Sequence, residues 1–296
     1  MSVNITLGCA QRCAFCCIRA QPFYPGDDVV YLFTNTAKLL KAELAGGRRK
    51  PRAVYVSPAT DPFPPMAEVQ AATAQVVDTV ARHGVECWLM TRGYIRPSVL
   101  EVFAAHRDRV KVTVGLTTLD RRLQRLLEPL AAPPRLRLRQ IAQLRARGIG
   151  VKVSLEPLIP GLTDTRSNLQ DLLEALAERG VRHVSTSYLF MRSRIQDNLL
   201  PALAALGWDQ PVLEAFAEGP ILSSGGLAAA RYLPKPRRQR GYASLMALGA
   251  NYGITVSVCA TTNPDFYTPK VPAPDSASQE PLFSRQSLAQ ARSSLS

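Results

Sequence analysis

The feature that most constrains this sequence is a rhythm. Short β-branched runs at 3–7, 53–57, 85–90, 110–117, 151–155 and 184–189 alternate with stretches in which apolar residues recur near every 3.6 positions, around 34–45, 66–83, 97–106, 134–147 and 165–179. Gly148 and Gly180 stand where helices end, and Asp164 or Thr165 is placed to cap the helix that follows. Repeated βα units joined by right-handed crossovers build either a doubly wound sheet or a barrel. The strands favour the second. In "VKVTVGLT", Val110, Val112, Val114 and Leu116 share one face while Lys111, Thr113, Gly115 and Thr117 share the other, and Lys152, Ser154 and Glu156 repeat the pattern opposite Val151, Val153 and Leu155. A doubly wound sheet buries both faces under helices, so a polar face selects a curved sheet around a polar ligand, with half-exposed strands as the alternative.

The rhythm divides the chain. Residues 1–192 form the expected α/β core. Residues 193–271, with a helical stretch near 209–218, a basic turn "YLPKPRRQRG", an apolar helix near 241–252 and a strand-like run at 254–258, form an extension packed on it. From 272 to 296 the Pro, Ser and Ala content without periodicity predicts a disordered tail. No run approaches the ~18–20 apolar residues that span a bilayer, and the opening residues are too short for a signal peptide. A cytoplasmic protein with reduced thiols and no membrane contact is expected.

Against that background the stretch "GCAQRCAFCCIRA" is unusual, because it holds four of the six cysteines within nine positions. Cys9, Cys13 and Cys16 are spaced C-x3-C-x2-C in the loop after the first strand, with Phe15 before the third. Thiolates are the ordinary ligands of iron–sulfur clusters, and three of them on a four-iron cluster leave one iron open. Zinc is poorly served: His83, His106 and His183 are distant in sequence, and Cys17 is too close to Cys16 for both to reach one ion without strain.

The spacing, with its aromatic before the last cysteine, resembles the signature of the radical S-adenosylmethionine (SAM) superfamily. Four further stretches, "SPATDPFPP" (57–65), "TRGYIRP" (91–97), "VGLTTLD" (114–120) and "PLIPGLTD" (157–164), each following a strand, resemble the spore photoproduct lyase-like (SplB-related) branch; the likeness covers about residues 3–192. It implies a partial (β/α)6 barrel of the radical SAM type with a C-terminal α/β extension. It also implies a [4Fe-4S] cluster on Cys9, Cys13 and Cys16, and SAM chelated at the open iron. One electron from the cluster then cleaves the sulfonium, and the resulting 5′-deoxyadenosyl radical abstracts hydrogen from substrate. An external electron donor such as flavodoxin or ferredoxin is implied.

The resemblance assigns SAM contacts residue by residue. Thr60 and Asp61 stand where the superfamily's Gly-Gly-Glu meets the amino group, and a hydroxyl with a carboxylate suits an ammonium. Arg92 stands where photoproduct lyases carry a lysine for the carboxylate, which a guanidinium can grip bidentately. Thr117 is the strand-four hydroxyl, and Phe15 stacks near the adenine. One departure matters: the hydrogen-donating cysteine of the lyases is Ala59 here, which argues against annotating the chain as that lyase. Cys17, Glu156 and Cys259 are therefore candidates for acting on substrate, beside a packing role for the two thiols. Cys87, inside "VECWLM", reads as core, while Tyr188 and Tyr242 read as packed tyrosines or as a radical relay.

Charge bears on the substrate. The chain carries 36 Lys and Arg against 23 Asp and Glu, a net +13. Eight arginines and a lysine fall between Leu119 and Lys152, and Arg237, Arg238 and Arg240 crowd the basic turn. Such a balance suits a nucleic acid, to be repaired or modified by a lyase or transferase reaction. A peptide, metabolite or natural-product substrate is the alternative, and a noncatalytic Fe–S or zinc nucleic-acid-binding protein is a third reading.

Overall fold

The computed structural model describes residues 1–19, 21–46, 50–223 and 229–266. Its main sheet has seven strands: β1 (Ser2–Val3), β2 (Ala53–Val56), β3 (Glu86–Thr91), β4 (Val110–Gly115), β5 (Gly150–Ser154), β6 (His183–Thr186) and β7 (Thr255–Val258). Every neighbouring pair is parallel, and spatial order follows chain order. Between the strands run α1 (Thr36–Gly46), α2 (Ala67–Arg82), α3 (Pro97–Ala105), α4 (Arg121–Leu127), α5 (Pro134–Ala146) and α6 (Arg166–Glu178), then α7 (Ser193–Ala204), α8 (Asp209–Phe216) and α9 (Lys235–Asn251). When each right-handed crossover returns to the next strand in line, all helices fall on one side of the sheet. The other side is left bare.

Burial follows from this. Val54, Val110, Val112, Val114, Val153 and Val184, on the helix side, are at most 2% exposed, whereas Tyr55 and Met90 on the bare side are 41% and 38% exposed. Lys111 and Lys152 are exposed beside them. The bare side is also concave. If the sheet were flat, β2 and β7 would lie ~24 Å apart, five strand spacings. Yet the Tyr55 phenol, raised first by burial, is raised further by Cys259 at the end of β7. Only a curved sheet brings those two groups within electrostatic reach. The fold is thus an open α/β barrel, with β1 and β7 as its free edges.

Some local expectations need correction. The run 3–7 is not one strand: Ser2–Val3 joins the sheet, while Thr6–Leu7 peels away to pair antiparallel with Tyr31–Leu32. Side chains replace the ladder between them, since Asn4 Oδ1 accepts from Ala59 N at 3.2 Å and Ser57 Oγ accepts from Ile5 N at 3.1 Å. The "basic turn" is the first two turns of α9, because Pro236 is tolerated there, where no intrahelical donor is lost. α4 and α7 went unforeseen. α4 is seven residues long, too short to show a period, and α7 contains Pro201. The segment after residue 192 supplies β7, pairing with β6 from Thr255↔His183 to Val258↔Thr186, so it completes the sheet as well as packing on it. The tail expected at 272–296 lies outside the described residues.

Gly241, inside α9, marks the tightest contact between this segment and the barrel. A Cβ there would stand 1.9 Å from Tyr188 Oη. That ring cannot retreat easily, being 4% exposed with its hydroxyl bonded to Asp164 Oδ2 at 3.0 Å. Replacing a helical glycine with alanine ordinarily stabilises by ~0.5–1 kcal/mol. Gly241→Ala is expected to lower the melting temperature instead, which a thermal denaturation curve checks.

Candidate active site

The cysteine loop lies at the C-terminal mouth of the barrel, where βα barrels build their sites. Gly8 has φ +87°, and a Cβ on it would meet Val29 O at 2.3 Å, so the residue before Cys9 must be glycine for the chain to turn in. Arg19 clamps the loop from outside, donating to Cys13 O at 3.2 Å while its Nε binds Asp27 Oδ1 at 2.9 Å. From the barrel side Ala14 N donates to Leu127 O at 2.8 Å. The loop is fixed before any ligand enters.

Burial dominates the electrostatics of Cys9 and Cys13. Burial, then the nearby Asp61 carboxylate, push the Cys9 thiol up to about 12, and Cys16 adds to the shift. Burial raises Cys13 as well; Arg92 opposes this, while Glu128, Cys16 and Cys9 reinforce it. The three thiols feel one another. Among the described residues, however, no group of three His, Cys, Asp or Glu side chains converges to hold a single metal ion. That disfavours mononuclear zinc. A cubane asks something different, one thiolate for each of three irons, and its positive charge would counter the effect of burial on the thiols. The donor set fits an iron–sulfur cluster.

Asp61 and Arg92 are tied together. Asp61 accepts from Phe63 N at 2.8 Å, Thr91 Oγ1 at 2.7 Å and Arg92 N at 2.7 Å, stitching the loop after β2 to the end of β3. Burial outweighs these donors and leaves its carboxyl raised. Gly93 lets the two loops touch, since a Cβ there would lie 1.9 Å from Phe63 O. Thr60 Oγ1 accepts from Thr6 Oγ1 at 3.0 Å. Arg92 itself reaches inward: Nε donates to Glu128 Oε1 at 2.9 Å, Nη2 donates to Glu156 O at 2.5 Å, and the guanidinium lies 5.2 Å from the Phe15 ring centre. Nη1 carries no hydrogen bond within the described residues.

Glu128 was not anticipated as a site residue. It is fully buried between Arg92 and Arg137, which also binds it and donates to Gly115 O at 2.8 Å and Ala132 O at 2.7 Å. Thr117 Oγ1 lies 3.4 Å from the same carboxylate. Arg137 had been counted with the polyanion-seeking arginines, and at 1% exposure it cannot be one. Arg238 is corrected likewise: it is 0% exposed, bonded to Asn263 Oδ1 at 3.1 Å and to Asp265. Nothing in a local window separates an arginine paired inside from one in solvent. Arg237 and Arg240 do face solvent.

The remaining candidates divide. Glu156 points its carboxylate near Arg92 with no side-chain hydrogen bond among the described residues, and burial raises it while Arg92 opposes the rise. Ser154, in register with Gly115 beside the Arg92 side chain, has a buried hydroxyl without a partner. Cys17 adjoins Cys16 in the cysteine loop, and Cys259 lies at the far edge of the sheet, donating its backbone N–H to Thr186 O at 3.0 Å. Cys87 is core, 0% exposed. Tyr188 and Tyr242 pack with ring centres 5.2 Å apart and both hydroxyls bonded, the latter to Asn263 Oδ1 at 2.9 Å. Deeper in the barrel, Tyr55 and Trp88 meet edge to face at 5.0 Å, and Lys111 Nζ lies 6.0 Å from the Trp88 ring centre. Lys152 and Ser185 border a neighbouring cavity of about 340 Å³.

The comparisons agree with this geometry. The family model "Radical SAM superfamily" matches residues 3–176. Uncharacterized proteins of Mycobacterium bovis and Mycobacterium tuberculosis are 30% identical over 200 residues, 64% of this chain and 59% of theirs, so the chain spans somewhat over half the length of those relatives. A protein of Pseudomonas phage M6 named radical SAM Nalpha-GlyT isomerase is 26% identical over 182 residues, 61% of this chain and 37% of its own. Among solved structures, spore photoproduct lyase complexed with dinucleoside spore photoproduct superposes with a TM-score of 0.66 at 8% identity, covering 86% of this chain and 74% of that one. A likeness at that identity is one of fold. Among the described residues no helix is long and apolar enough to cross a membrane.

Removing the carboxylate at 128 would leave two buried guanidinium groups unpaired. Glu128→Ala is expected to cost ~3–5 kcal/mol in urea unfolding. Burial alone would raise the Glu128 carboxyl, but Arg137 and Arg92 outweigh it and hold the group below its usual range. Its stabilisation is therefore complete above pH ~4.3 and is lost as pH falls through the lower folded value. Unfolding measured against pH should show a larger acid-side loss in the wild type than in Glu128→Ala, where the other lowered carboxyls, such as Asp78 and Glu86, still contribute.

Proposed function

The chain belongs to the radical SAM superfamily, and on that footing we propose that it is an enzyme that abstracts hydrogen from a nucleic acid. Cys9, Cys13 and Cys16 would hold a [4Fe-4S] cluster through three irons and leave the fourth for SAM. When bound, that pair supplies one-electron chemistry that side chains do not possess, with the electron delivered by a carrier such as flavodoxin or ferredoxin.

This chain's own residues bind and orient. The free Nη1 edge of Arg92 suits the SAM carboxylate, while the Thr60 hydroxyl and the unused lone pairs of Asp61 suit its ammonium. Glu128 keeps Arg92 charged and aimed, and Thr117 and Ser154 offer hydroxyls to a ribose. Phe15 closes the site against water with an apolar face. Glu156 faces the same space with no hydrogen-bond donor on its carboxylate among the described residues, which supports a role toward substrate.

The observation that carries the nucleic-acid reading is the concave wall. Tyr55 and Trp88 present an edge-to-face aromatic pair beside Lys111, which is paired with Glu86 at 2.9 Å, and Lys152 has no acid partner among the described residues. Stacked bases and phosphates ask for those two features. The +13 charge and the dinucleoside lesion named in the complex of the structural neighbour point the same way. Ala59 supplies no thiol for the lyase's hydrogen return, so the reaction is better sought among lesions and modifications other than the spore photoproduct.

Oxygen-free reconstitution should give an iron-bound protein that forms 5′-deoxyadenosine from SAM and dithionite. A full cluster with no such product would remove the radical reading. Alanine at Cys9, Cys13 or Cys16 is expected to abolish the cluster's visible absorption, whereas Cys17→Ala should retain the iron. Deuterium passing from a labelled oligonucleotide into 5′-deoxyadenosine tests the substrate class; transfer only from labelled peptides or metabolites would redirect it.

A further inference from the structure

Among the described residues, one buried arginine has no acid partner. Arg192, just beyond β6, is 8% exposed, yet its Nε and Nη1 are buried with no hydrogen-bond partner and it forms no ion pair among the described residues. One face of the guanidinium rests on Phe190, 5.2 Å from the ring centre, and that ring is stacked on Tyr232 at 5.7 Å. Burying a cation without a carboxylate or carbonyl costs several kcal/mol, so folding alone gives no reason to place it there. The other buried arginines differ: Arg137 and Arg238 are each matched by an acid and by carbonyl groups.

The surroundings call for an anion. Arg192 is the N-cap residue of α7, a twelve-residue helix with no side-chain cap, so backbone donors of the first turn and the positive end of the helix dipole face the same place. Arg194 in that turn is exposed. Arg192 follows the C-terminal end of β6, and the cysteine loop follows β1 of the same parallel sheet, so both lie at the same end of the barrel. A group held by Arg192 would thus lie at the mouth where the reaction occurs.

We propose that Arg192, with the first turn of α7, binds a phosphodiester of the substrate and so presents the adjoining nucleotide to the site. The planar fork of an arginine and the oxygens of a phosphate are matched in shape and charge. This rests on the nucleic-acid reading above and adds to it the residue that registers the strand.

The test uses the reconstituted full chain and two probes, a dinucleoside monophosphate and the same two nucleosides joined by an uncharged linker. Wild type should bind the first more tightly. Arg192→Gln should weaken it by roughly ten-fold or more while leaving the uncharged probe unchanged. For a single-stranded oligonucleotide the slope of log K against log salt should fall by about 0.7. The free Arg192→Met protein should melt no lower than wild type, since no hydrogen-bond or ion-pair partner is lost and the methionine side chain can still pack on Phe190. Equal weakening of both probes, or a lower melting temperature without ligand, would show a structural arginine and overturn the proposal. Oligonucleotide binding that Arg192→Gln leaves intact would overturn it while sparing the nucleic-acid reading. If wild type binds no oligonucleotide at all, that reading falls and takes this one with it.

Discussion

A single buried carboxylate organises the mouth of this barrel. Glu128 holds Arg92 on one side and Arg137 on the other, and through them it touches the end of β3, the end of β4, and α5. Its neighbour Leu127 accepts the backbone N–H of Ala14 inside the cysteine loop. At Cys13 the two members of the pair act in opposite directions, Arg92 lowering the thiol and Glu128 raising it, beneath a larger rise from burial. The ion chain therefore aims Arg92 and ties the cysteine loop to the ends of β3 and β4.

The same economy of paired charge explains which arginines are available to a partner. The chain is rich in arginine, and charge alone predicts a broad polyanion surface. Packing withdraws Arg137 and Arg238 from that surface by giving each an acid inside. Arg121, Arg122, Arg125, Arg135 and Arg139 stay exposed on α4 and α5. They suit long-range attraction of an anion.

Curvature links these observations. Parallel strands in chain order leave one face without helices, and the bare face can hold polar side chains because a ligand, not a second helical layer, fills it. The loops after β2, β3 and β4 then converge, which is how Asp61, Arg92 and Thr117, separated by dozens of residues, come to share contacts. Ser154 and Glu156 extend that group along β5 and just past it.

Periodicity by itself determined the βα repeat, the polar strand face and the thiol loop, because each is local: strand alternation, helical spacing and cysteine spacing are read within a few residues. Asp61, Arg92 and Thr117 were singled out by resemblance to a known family, and the structure gathers them around shared contacts. Only the tertiary structure decided the rest. Glu128 and Arg192 look like ordinary surface residues in sequence, and Arg238 looks like part of a basic patch. Whether a charged side chain is buried, and whether it is matched there, depends on partners that the chain brings from far away, such as Asp265 for Arg238, Arg92 for Glu128 and none within the described residues for Arg192. Burial is a property of the assembled solid, and no local window contains it.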